Sequence, residues 1–290
     1  MFASSNYLNM PLFQSKTALK NVLNSYTSKS ETIGLVPTMG ALHQGHISLI
    51  EKAYRENKIV VVSIFVNPTQ FNNSEDLEKY PKTLKDDIIK IESISNDIII
   101  YAPSVNEIYS ENIAAKSYNF DGLDRVMEGE FREGHFDGVG TIVEELLISI
   151  QPHKAYFGEK DFQQLQIIKK LVEIQKIPVQ IIGCPIVRES SGLAMSSRNE
   201  RLSNKVRQEA SFIYKTLAEA KKKFGTKSAL EIISWVKKQF LKQENLTLEY
   251  IQIVDEKTLQ PIKRKSKHKK YRAFVAVFAD DVRLIDNIAL

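Results

Sequence analysis

The chain has 290 residues, of which 43% are hydrophobic and 26% charged, and its formal net charge is +5. This composition is typical of a folded protein of one or two domains and excludes a disordered or fibrous chain. The mild positive charge suits anionic small molecules and does not by itself indicate nucleic acid. The only cysteine, Cys184, excludes an intrachain disulfide and a CxxC metal site, and we expect it to be a buried apolar side chain.

The sequence contains no apolar run near the ~20 residues that a membrane-spanning helix needs. Residues 1–11 lack the basic segment and the apolar core of a signal peptide. A single cysteine also fits the reducing cytoplasm. We therefore expect a cytoplasmic protein without a membrane partner, and we assign no role to residues 1–9.

Short β-branched segments alternate with helical patterns over the first two-thirds of the chain. Between these segments apolar residues recur at helical spacing, as Ile47, Ile50 and Tyr54 do. The alternation predicts an α/β fold with a Rossmann-like, doubly wound parallel sheet. The predicted strands are residues 32–37, 59–65, 97–101, 154–157 and 179–183.

The pattern changes near Val187, where predicted helices are followed by predicted strands, as in a small α+β domain. We therefore predict a nucleotide-binding domain over residues 1–187 and a smaller C-terminal α+β lid domain over residues 188–290. The basic run 263–270 is interpreted as a solvated hairpin loop. The predicted elements of the second domain are helices over 204–224 and 228–241 and strands over 248–254, 271–278 and 282–285.

Residues 37–46, with the sequence PTMGALHQGH, join the first predicted strand to the first predicted helix. In a doubly wound sheet this turn lies where ligands bind, and a helix N-terminus favours phosphate. His43 and His46 are three residues apart, so both imidazoles can serve the same phosphoryl group. The segment lacks GK[ST] and GxGxxG, and it resembles the HxGH signature of the nucleotidyltransferase superfamily.

Two further segments carry cations suited to phosphate. Residues 156–164, YFGEKDFQQ, place Lys160 between a predicted strand and a predicted helix. Residues 194–199, AMSSRN, place two hydroxyls beside Arg198, and they look like a variant of the KMSKS loop that accompanies HxGH. The two signatures together, in this order, are more specific than either one alone.

Residues 65–71, FVNPTQF, and 131–139, FREGHFDGV, narrow the interpretation. With the other motifs they resemble the pantoate–β-alanine ligase family from about residue 32 to the C-terminus. The resemblance implies ATP-dependent condensation of (R)-pantoate with β-alanine through a pantoyl adenylate, with Mg²⁺ and with release of AMP and pyrophosphate. It also implies that pantoate binds in the N-terminal domain and that the protein is a homodimer.

The resemblance implies that Gln70 binds pantoate and β-alanine and that Gln164 binds pantoate. It also implies that Asn67 lies beside pantoate and that His46 is the proton donor. Charge cancellation on ATP indicates His43, His46, Lys160 and Arg198 as the catalytic residues, and no residue is predicted as a protein nucleophile or metal ligand. The implied ATP-binding residues are Met39, Gly40, Ala41, Leu42, His43, Gln44, Gly45, His46, Gly158, Glu159, Lys160, Asp161, Val187, Met195, Ser196, Ser197 and Arg198.

Three positions depart from the family pattern. Ser191 replaces a frequent acidic residue, Lys82 replaces a frequent Arg, and Asn72 replaces a common Gly. Two other functions compete with the ligase: a different nucleotidyltransferase, or an RNA-binding relative of class I aminoacyl-tRNA synthetases. The first is not expected to carry FVNPTQF, and the second lacks a convincing anticodon-binding domain, so we expect no nucleic-acid partner.

Overall fold

The computed structural model describes residues 10–27, 31–72, 74–110 and 112–290, so residues 1–9 lie outside the described part. The chain forms two compact units. The first comprises Met1–Phe120, Arg132–Gly158 and Ile167–Cys184, and the second comprises Asp121–Phe131, Glu159–Gln166 and Pro185–Leu290. The division into domains at residues 187 and 188 stays a prediction.

The first unit is built on a six-stranded parallel sheet, which confirms the predicted fold class. Its strands are β1 (Leu12–Phe13), β2 (Ile33–Thr38), β3 (Ile59–Ile64), β4 (Ile99–Tyr101), β5 (Lys154–Gly158) and β6 (Gln180–Cys184). Their order in the sheet is β1-β4-β3-β2-β5-β6, and every pair is parallel. The two-residue strand β1 is too short to carry a pattern and was not among the predicted strands.

The sheet is buried on both faces, as the continuous apolar runs predict. In β3 the residues from Val60 to Ile64 are all buried, and Val62 is completely covered. Helical residues such as Ile50 and Ile91 complete this core. A fully buried strand has no polar face, so its sequence shows no alternation.

Eleven α-helices occur within the described residues, and α8 passes from the second unit into the first. The helices are α1 (Lys16–Thr27), α2 (Gln44–Glu56), α3 (Ser74–Glu78), α4 (Leu84–Glu92), α5 (Val105–Tyr109), α6 (Glu128–Phe131), α7 (His135–Ile150), α8 (Phe162–Gln175), α9 (Asn204–Glu209), α10 (Ser211–Phe224) and α11 (Ala229–Phe240). Three short 3₁₀ turns at Pro68–Gln70, Glu159–Asp161 and Ser197–Arg201 coincide with predicted site segments.

The second unit contains an antiparallel sheet of three strands, β7 (Leu246–Asp255), β8 (Tyr271–Ala279) and β9 (Val282–Ala289). Pairing is in chain order, β7 with β8 and β8 with β9. Buried side chains of α10, α11 and β8, including Leu217, Val236 and Val275, form its core. This is the predicted α+β arrangement, with β9 four residues longer than its apolar run indicated.

The helix predicted over residues 204–224 is divided into α9 and α10 at Ala210. The N–H of Ile213 bonds to the carbonyl of Ala210, three residues back, instead of four. Such a 3₁₀ step interrupts the α-helical hydrogen-bond pattern without a proline or glycine. The apolar spacing continues across the break, which is why the sequence pattern predicts one helix.

The basic loop of residues 263–270 connects β7 to β8 and is exposed throughout. Lys265 donates to the carbonyl of Phe224, the last residue of α10, and to the carbonyl of Lys227 beyond it. Cations are favoured at a helix C-terminus because its carbonyls carry partial negative charge. The predicted solvated loop is therefore confirmed, because its residues are exposed.

No helix in the described ranges is both long and apolar enough to cross a bilayer.

The strand order reverses at β2, which pairs with β3 on one side and with β5 on the other. Ligands of open α/β sheets bind beyond the carboxyl ends of the strands at such a reversal. Strand β2 ends at Thr38 and β5 ends at Gly158. The chain leaves these two ends directly into the PTMGALHQGH turn and the GEKD segment.

Candidate active site

The turn after β2 adopts a conformation that few side chains tolerate. Gly40 and Ala41 both have positive φ, +82° and +49°. A Cβ at Gly40 would lie 3.0 Å from Oδ2 of Asp87 and 3.2 Å from Cγ2 of Ile64, so glycine serves both the backbone angle and the close approach. Thr38 supports the turn by accepting the N–H of Gly40 through its hydroxyl at 3.3 Å.

Asp87, on α4, binds the backbone of this turn. Its side chain is completely buried and accepts the N–H of Ala41 through Oδ2 at 3.0 Å and the N–H of Leu42 through Oδ1 at 2.7 Å. Lys90 donates to the carbonyl of Leu42 at 2.7 Å. One helix therefore holds both backbone hydrogen-bonding groups of Leu42, although Asp87 and Lys90 lie 45 or more residues away in the sequence.

His43 and His46 cap the start of α2. His43 is the N-cap residue, and its Nδ1 accepts the N–H of Gly45 at 3.1 Å. Nδ1 of His46 accepts the N–H of His43 at 3.3 Å, which completes a reciprocal capping box. The two ring centroids lie 4.1 Å apart with the planes inclined by 32°.

These bonds determine the tautomer of both rings. A nitrogen that accepts a backbone N–H carries no proton, so each neutral imidazole has its proton on Nε2. Two Nε2–H donors at a helix N-terminus form a favourable environment for phosphate oxygens. His43 is the N-cap of α2, which begins at Gln44, and His46 is its third residue.

The 3₁₀ turn Pro68–Gln70 follows β3 and carries the amides of the FVNPTQF motif. Asn67 is 1% exposed, and its Nδ2 donates to Oε1 of Gln70 at 3.3 Å and to the carbonyl of Gly138 at 3.0 Å. Its Oδ1 accepts from the hydroxyls of Thr69 and Tyr109. All four hydrogen-bonding positions of this amide are thus used within the protein.

Burial raises the pKa of the Tyr109 hydroxyl, which keeps it a neutral donor toward Asn67. Gln70 is also buried, and its Nε2 contacts Sδ of Met39 in the neighbouring turn. Gln70, which the resemblance assigns to pantoate and β-alanine, therefore borders the PTMGALHQGH turn, which the resemblance assigns to ATP. This contact lies within the first unit.

The FREGHFDGV motif, which leads into α7, supports the 3₁₀ turn Pro68–Gln70. The carbonyl of Gln70 accepts from Nη2 of Arg132 at 3.1 Å and from Nδ1 of His135 at 2.8 Å. A Cβ on Gly138 would lie 2.3 Å from the carbonyl oxygen of Thr69, so only glycine admits the turn this close. These contacts give the FREGHFDGV motif a structural role beside the 3₁₀ turn, a role that the sequence alone did not predict.

Lys160 lies in the 3₁₀ turn Glu159–Asp161, and its Nζ is 3.5 Å from Oδ1 of Asp161. The backbone carbonyls of Glu159 and Lys160 both accept from Nδ2 of Asn287, each at 2.9 Å. Asn287 is on β9, near the C-terminus. Asn287 lies 127 residues from Lys160 in the sequence, so no local pattern predicts this contact.

The AMSSRN loop is anchored at its N-terminal end by backbone contacts with residues 187 and 188. Arg188 and Ala194 form an antiparallel bridge, and the N–H of Met195 donates to the carbonyl of Val187 at 3.0 Å. Ser196 begins the 3₁₀ turn Ser197–Arg201, and its hydroxyl accepts the N–H of Arg198 at 3.3 Å. Ser196 therefore caps the turn that carries the predicted phosphate ligands.

Two of the departures from the family pattern make local hydrogen bonds. Ser191 accepts the N–H of Leu193 through its hydroxyl at 3.3 Å, the turn-forming bond that an acidic side chain could also accept. Asn72 donates to the carbonyl of Glu133 and so ties the FVNPTQF segment to the FREGHFDGV motif. Lys82 is exposed, and nothing in the structure explains its substitution.

The two glutamines of the GEKDFQQ segment have different surroundings. Gln163 is buried and binds the chain near α6, donating to the carbonyls of Leu123 and Val126 and accepting the N–H of Glu128. Gln164 is half-buried. The assignment of Gln164 to pantoate stays a prediction.

The structure brings the predicted residues together in two groups. Residues 39–46, Asn67 and Gln70 lie in the first unit, at the β2 and β3 ends of the sheet, with Gly158 at the end of β5. Residues 159–161, Gln164, Val187 and 195–198 lie in the second unit. Over the described ranges, no three His, Cys, Asp or Glu side chains cluster as metal ligands would.

Comparison with known proteins shows the family of the chain. The sequence model described as pantoate-beta-alanine ligase matches residues 11–289. The pantothenate synthetase of Flavobacterium psychrophilum is 57% identical over 281 residues, which are 97% of this chain and 100% of that protein. The pantothenate synthetase of Christiangramia forsetii is 54% identical over 281 residues, which are 97% of this chain and 99% of that protein.

Solved structures agree with the sequence relatives. The pantothenate synthetase of Thermus thermophilus has a TM-score of 0.89 at 38% identity, over 96% of this chain and 99% of that one. The pantoate-beta-alanine ligase of Francisella tularensis, solved with beta-gamma ATP and beta-alanine, has a TM-score of 0.79 at 37% identity, over 97% of each chain. From its fold, its motifs and these matches, the chain belongs to the pantoate–β-alanine ligase family.

Proposed function

We propose that the residues described above carry out the reaction of the family, the ATP-dependent condensation of (R)-pantoate with β-alanine. In the first step a carboxylate oxygen of pantoate bonds to the α-phosphorus of ATP, and the bond from that phosphorus to pyrophosphate breaks. In the second step the amine of β-alanine attacks the acyl carbon of pantoyl adenylate. The acyl–oxygen bond breaks, AMP leaves, and the amine loses its proton to solvent.

The observation that carries this proposal is the arrangement of His43 and His46. Their Nδ1 atoms are both occupied by backbone N–H groups, so their protons lie on Nε2. Donors that the fold orients in advance stabilise charge as it develops on phosphoryl oxygens. We assign His43 and His46 to this task, together with the cations Lys160 and Arg198.

His46 need not transfer its proton. Pyrophosphate is a good leaving group once its charge is neutralised, so hydrogen bonding from Nε2 can suffice. The remaining ATP contacts are assigned to the backbone and side chains of residues 39–46, 158–161, 187 and 195–198. Acyl transfer to an amine from an adenylate requires no protein nucleophile, and we assign none.

Gln70 is proposed to bind pantoate and β-alanine, and Gln164 to bind pantoate. Amides can bind carboxylates and hydroxyls without competing as nucleophiles. For Asn67, whose hydrogen bonds are all made within the protein, the geometry supports a positioning role toward Gln70. In the Francisella tularensis relative, beta-gamma ATP and beta-alanine occupy the structure together, which supports the choice of ligands.

The family also implies Mg²⁺, and the residues present fit an ion delivered with ATP. Mg²⁺ in nucleotide sites takes most of its ligands from phosphate and water, so a protein cage of three side chains is not required. When bound it would supply neutralisation of phosphate charge. A homodimer and a cytoplasmic location are further proposals, which rest on the family resemblance and on the single cysteine.

Exchange of labelled pyrophosphate into ATP tests the reaction order. Pantoate with ATP and Mg²⁺ should support the exchange without β-alanine, because the adenylate forms before the amine attacks. β-Alanine alone should support none. Addition of both substrates should yield pantothenate, identified by its mass. The variant Cys184→Ser is the control for a covalent thiol intermediate and should exchange normally.

A requirement for β-alanine in the exchange would contradict the two-step order, provided that pyrophosphate release is shown not to limit the signal. Failure to form pantothenate with all substrates present would contradict the function itself. A filter-binding assay with tRNA distinguishes the ligase from the alternative function, that of an RNA-binding relative of class I aminoacyl-tRNA synthetases. We expect no retention of tRNA above that of an unrelated protein with similar charge.

A further inference from the structure

We propose that Asn287, on β9, is a positioning residue for Lys160 and sets the direction from which its ammonium approaches ATP. The inference rests on the proposed role of Lys160 in adenylation. Asn287 lies 127 residues away in the chain, within the same compact unit. No sequence motif of the family resemblance includes it.

The contact between the two residues is a pair of hydrogen bonds to consecutive carbonyls. Nδ2 of Asn287 donates to the carbonyl oxygens of Glu159 and Lys160, each at 2.9 Å. These carbonyls belong to the two peptides that flank the Cα of Lys160. Each peptide is planar, so holding both planes restrains φ and ψ of Lys160 and hence its Cα–Cβ direction.

Asn287 is itself held in one orientation. Its side chain is 1% exposed, and its Oδ1 accepts from Nη1 of Arg272 at 2.6 Å. Arg272 lies 3.8 Å over the ring of Phe162 and donates to Glu256 through Nε at 2.9 Å. A flipped amide would place its NH₂ against the guanidinium and its oxygen against two carbonyls, so the observed orientation is the only satisfied one.

The preceding residue of β9 holds the second ATP-binding segment of the same unit. Asp286 is buried and accepts two hydrogen bonds from Arg188, at 2.6 and 3.0 Å. Arg188 forms the bridge that begins the AMSSRN loop. The N–H of Asn287 donates to Oδ1 of Asp286 at 2.7 Å. Two consecutive residues therefore support both segments, one through Arg188 and the other through the peptides of Lys160.

A purely structural role is the alternative, since buried carbonyls need donors wherever they occur. The two roles differ in how the effect of Asn287 depends on Lys160. If Asn287 acts by aiming the ammonium, removal of the ammonium removes most of its effect on rate. If it only stabilises the turn, its effect on rate is independent of the Lys160 side chain.

A double-mutant cycle with Asn287→Asp and Lys160→Ala makes this comparison, with pantoate-dependent pyrophosphate exchange as the rate. Aspartate keeps the shape and the acceptor for Arg272 but replaces the NH₂ with an oxygen that faces two carbonyls. We expect Lys160→Ala to lose ~10²-fold and Asn287→Asp to lose ~10-fold or more, because small misplacements are costly. The double variant should be within ~2-fold of Lys160→Ala, as residues acting as one unit are not additive.

The matched control is Asn245→Ala, which removes a half-buried asparagine elsewhere in the second unit, bonded to Glu209. Its exchange rate should be unchanged. Thermal unfolding should establish that each variant is folded, and Asn287→Ser, which keeps one donor, replaces Asn287→Asp if that variant unfolds. The Michaelis constant for pantoate should not change in any Asn287 variant.

Multiplicative losses in the double variant would overturn the inference and leave the role of Lys160 intact. A wild-type rate in Lys160→Ala would overturn both the role of Lys160 and the inference. Absence of exchange in the wild-type protein would instead contradict the proposed function. The three failures are therefore distinguishable in one set of measurements.

Discussion

His43 and His46 cap one helix reciprocally, because Nδ1 of His43 accepts the N–H of Gly45 and Nδ1 of His46 accepts the N–H of His43. The Nδ1 atoms make these backbone bonds, and we assign phosphate binding to the Nε2–H groups. An HxGH motif therefore combines helix initiation and donor orientation in the same two side chains. Substitution of either histidine should affect both.

We expect His46→Ala to lower the rate of pyrophosphate exchange by ~10²–10³, the usual effect of losing one donor to developing charge. The protein should remain folded, with a loss of about 1 kcal/mol in the free energy of unfolding from the weakened cap. His268→Ala, in the exposed basic loop, is the control and should behave as wild type. A near-normal rate for His46→Ala would rule out the role assigned to it.

Asp87→Asn should weaken the PTMGALHQGH turn, because Asp87 binds the backbone of that turn. Asparagine offers one oxygen, so one of the N–H groups of Ala41 and Leu42 would face an NH₂ group. We expect about 1–3 kcal/mol less stability and a loss of ~10-fold or more in kcat/KM for ATP. Asp86→Asn changes an exposed neighbour on α4 and should alter neither quantity. Equal behaviour of the two variants would refute this account.

Gln70→Ala should impair the use of pantoate and β-alanine while the affinity for ATP is retained. The side chain borders Met39 but belongs to the turn after β3, not to the PTMGALHQGH turn. Isothermal calorimetry with ATP and steady-state kinetics with each substrate measure the two effects. Gln175→Ala, exposed at the end of α8, is the control. Loss of ATP binding in Gln70→Ala would contradict the assignment.

Gly138→Ala should displace the 3₁₀ turn that carries Gln70. The added Cβ would meet the carbonyl oxygen of Thr69 at 2.3 Å, and a backbone atom cannot move aside as a flexible side chain can. We expect a destabilisation of about 1–3 kcal/mol from overpacking and a higher KM for pantoate. Gly225→Ala, where the nearest atom would be 3.8 Å away, should be tolerated. Unaltered pantoate kinetics in Gly138→Ala would show that the turn does not need this approach.

Residues 188–198 should exchange backbone hydrogens faster without nucleotide than with it, because their loop is expected to close over ATP and protect the adenylate from water. The N–H groups of Glu189 and Gly192 donate to carbonyls within the loop, and that of Met195 donates to Val187 just before it, so these three should be among its slowest-exchanging sites. Hydrogen exchange with mass spectrometry resolves these peptides, and strand β8 provides an internal reference. Identical exchange with and without ATP would contradict the prediction.

Local patterns predicted most of the fold. Strands such as β3 are indicated by continuous β-branched residues, and α11 coincides with the helix predicted over residues 228–241. The break at Ala210 has no such signal, because a 3₁₀ step changes the hydrogen bonds without changing the spacing of apolar residues. The pairing of the two-residue strand β1 with β4 depends on a distant partner.

The site was predictable where the functional side chains lie within the motif itself, as His43 and His46 do. The supporting residues were not, because Asp87 and Asn287 act on backbone atoms that lie 45 or more residues away. Nothing near either residue in the sequence marks it as part of a site. A buried side chain that accepts or donates to a distant turn becomes visible only when the chain is folded.

Cys184 is the last residue of β6, which forms one edge of the parallel sheet, and its side chain is buried. The chain has no other thiol, so reaction with a thiol reagent reports on one location. A buried thiol reacts only when the surrounding structure opens, and ligands that bind the native form reduce that open population. The protein therefore contains an intrinsic reporter, whose modification rate measures ligand binding through the local opening of the β6 edge.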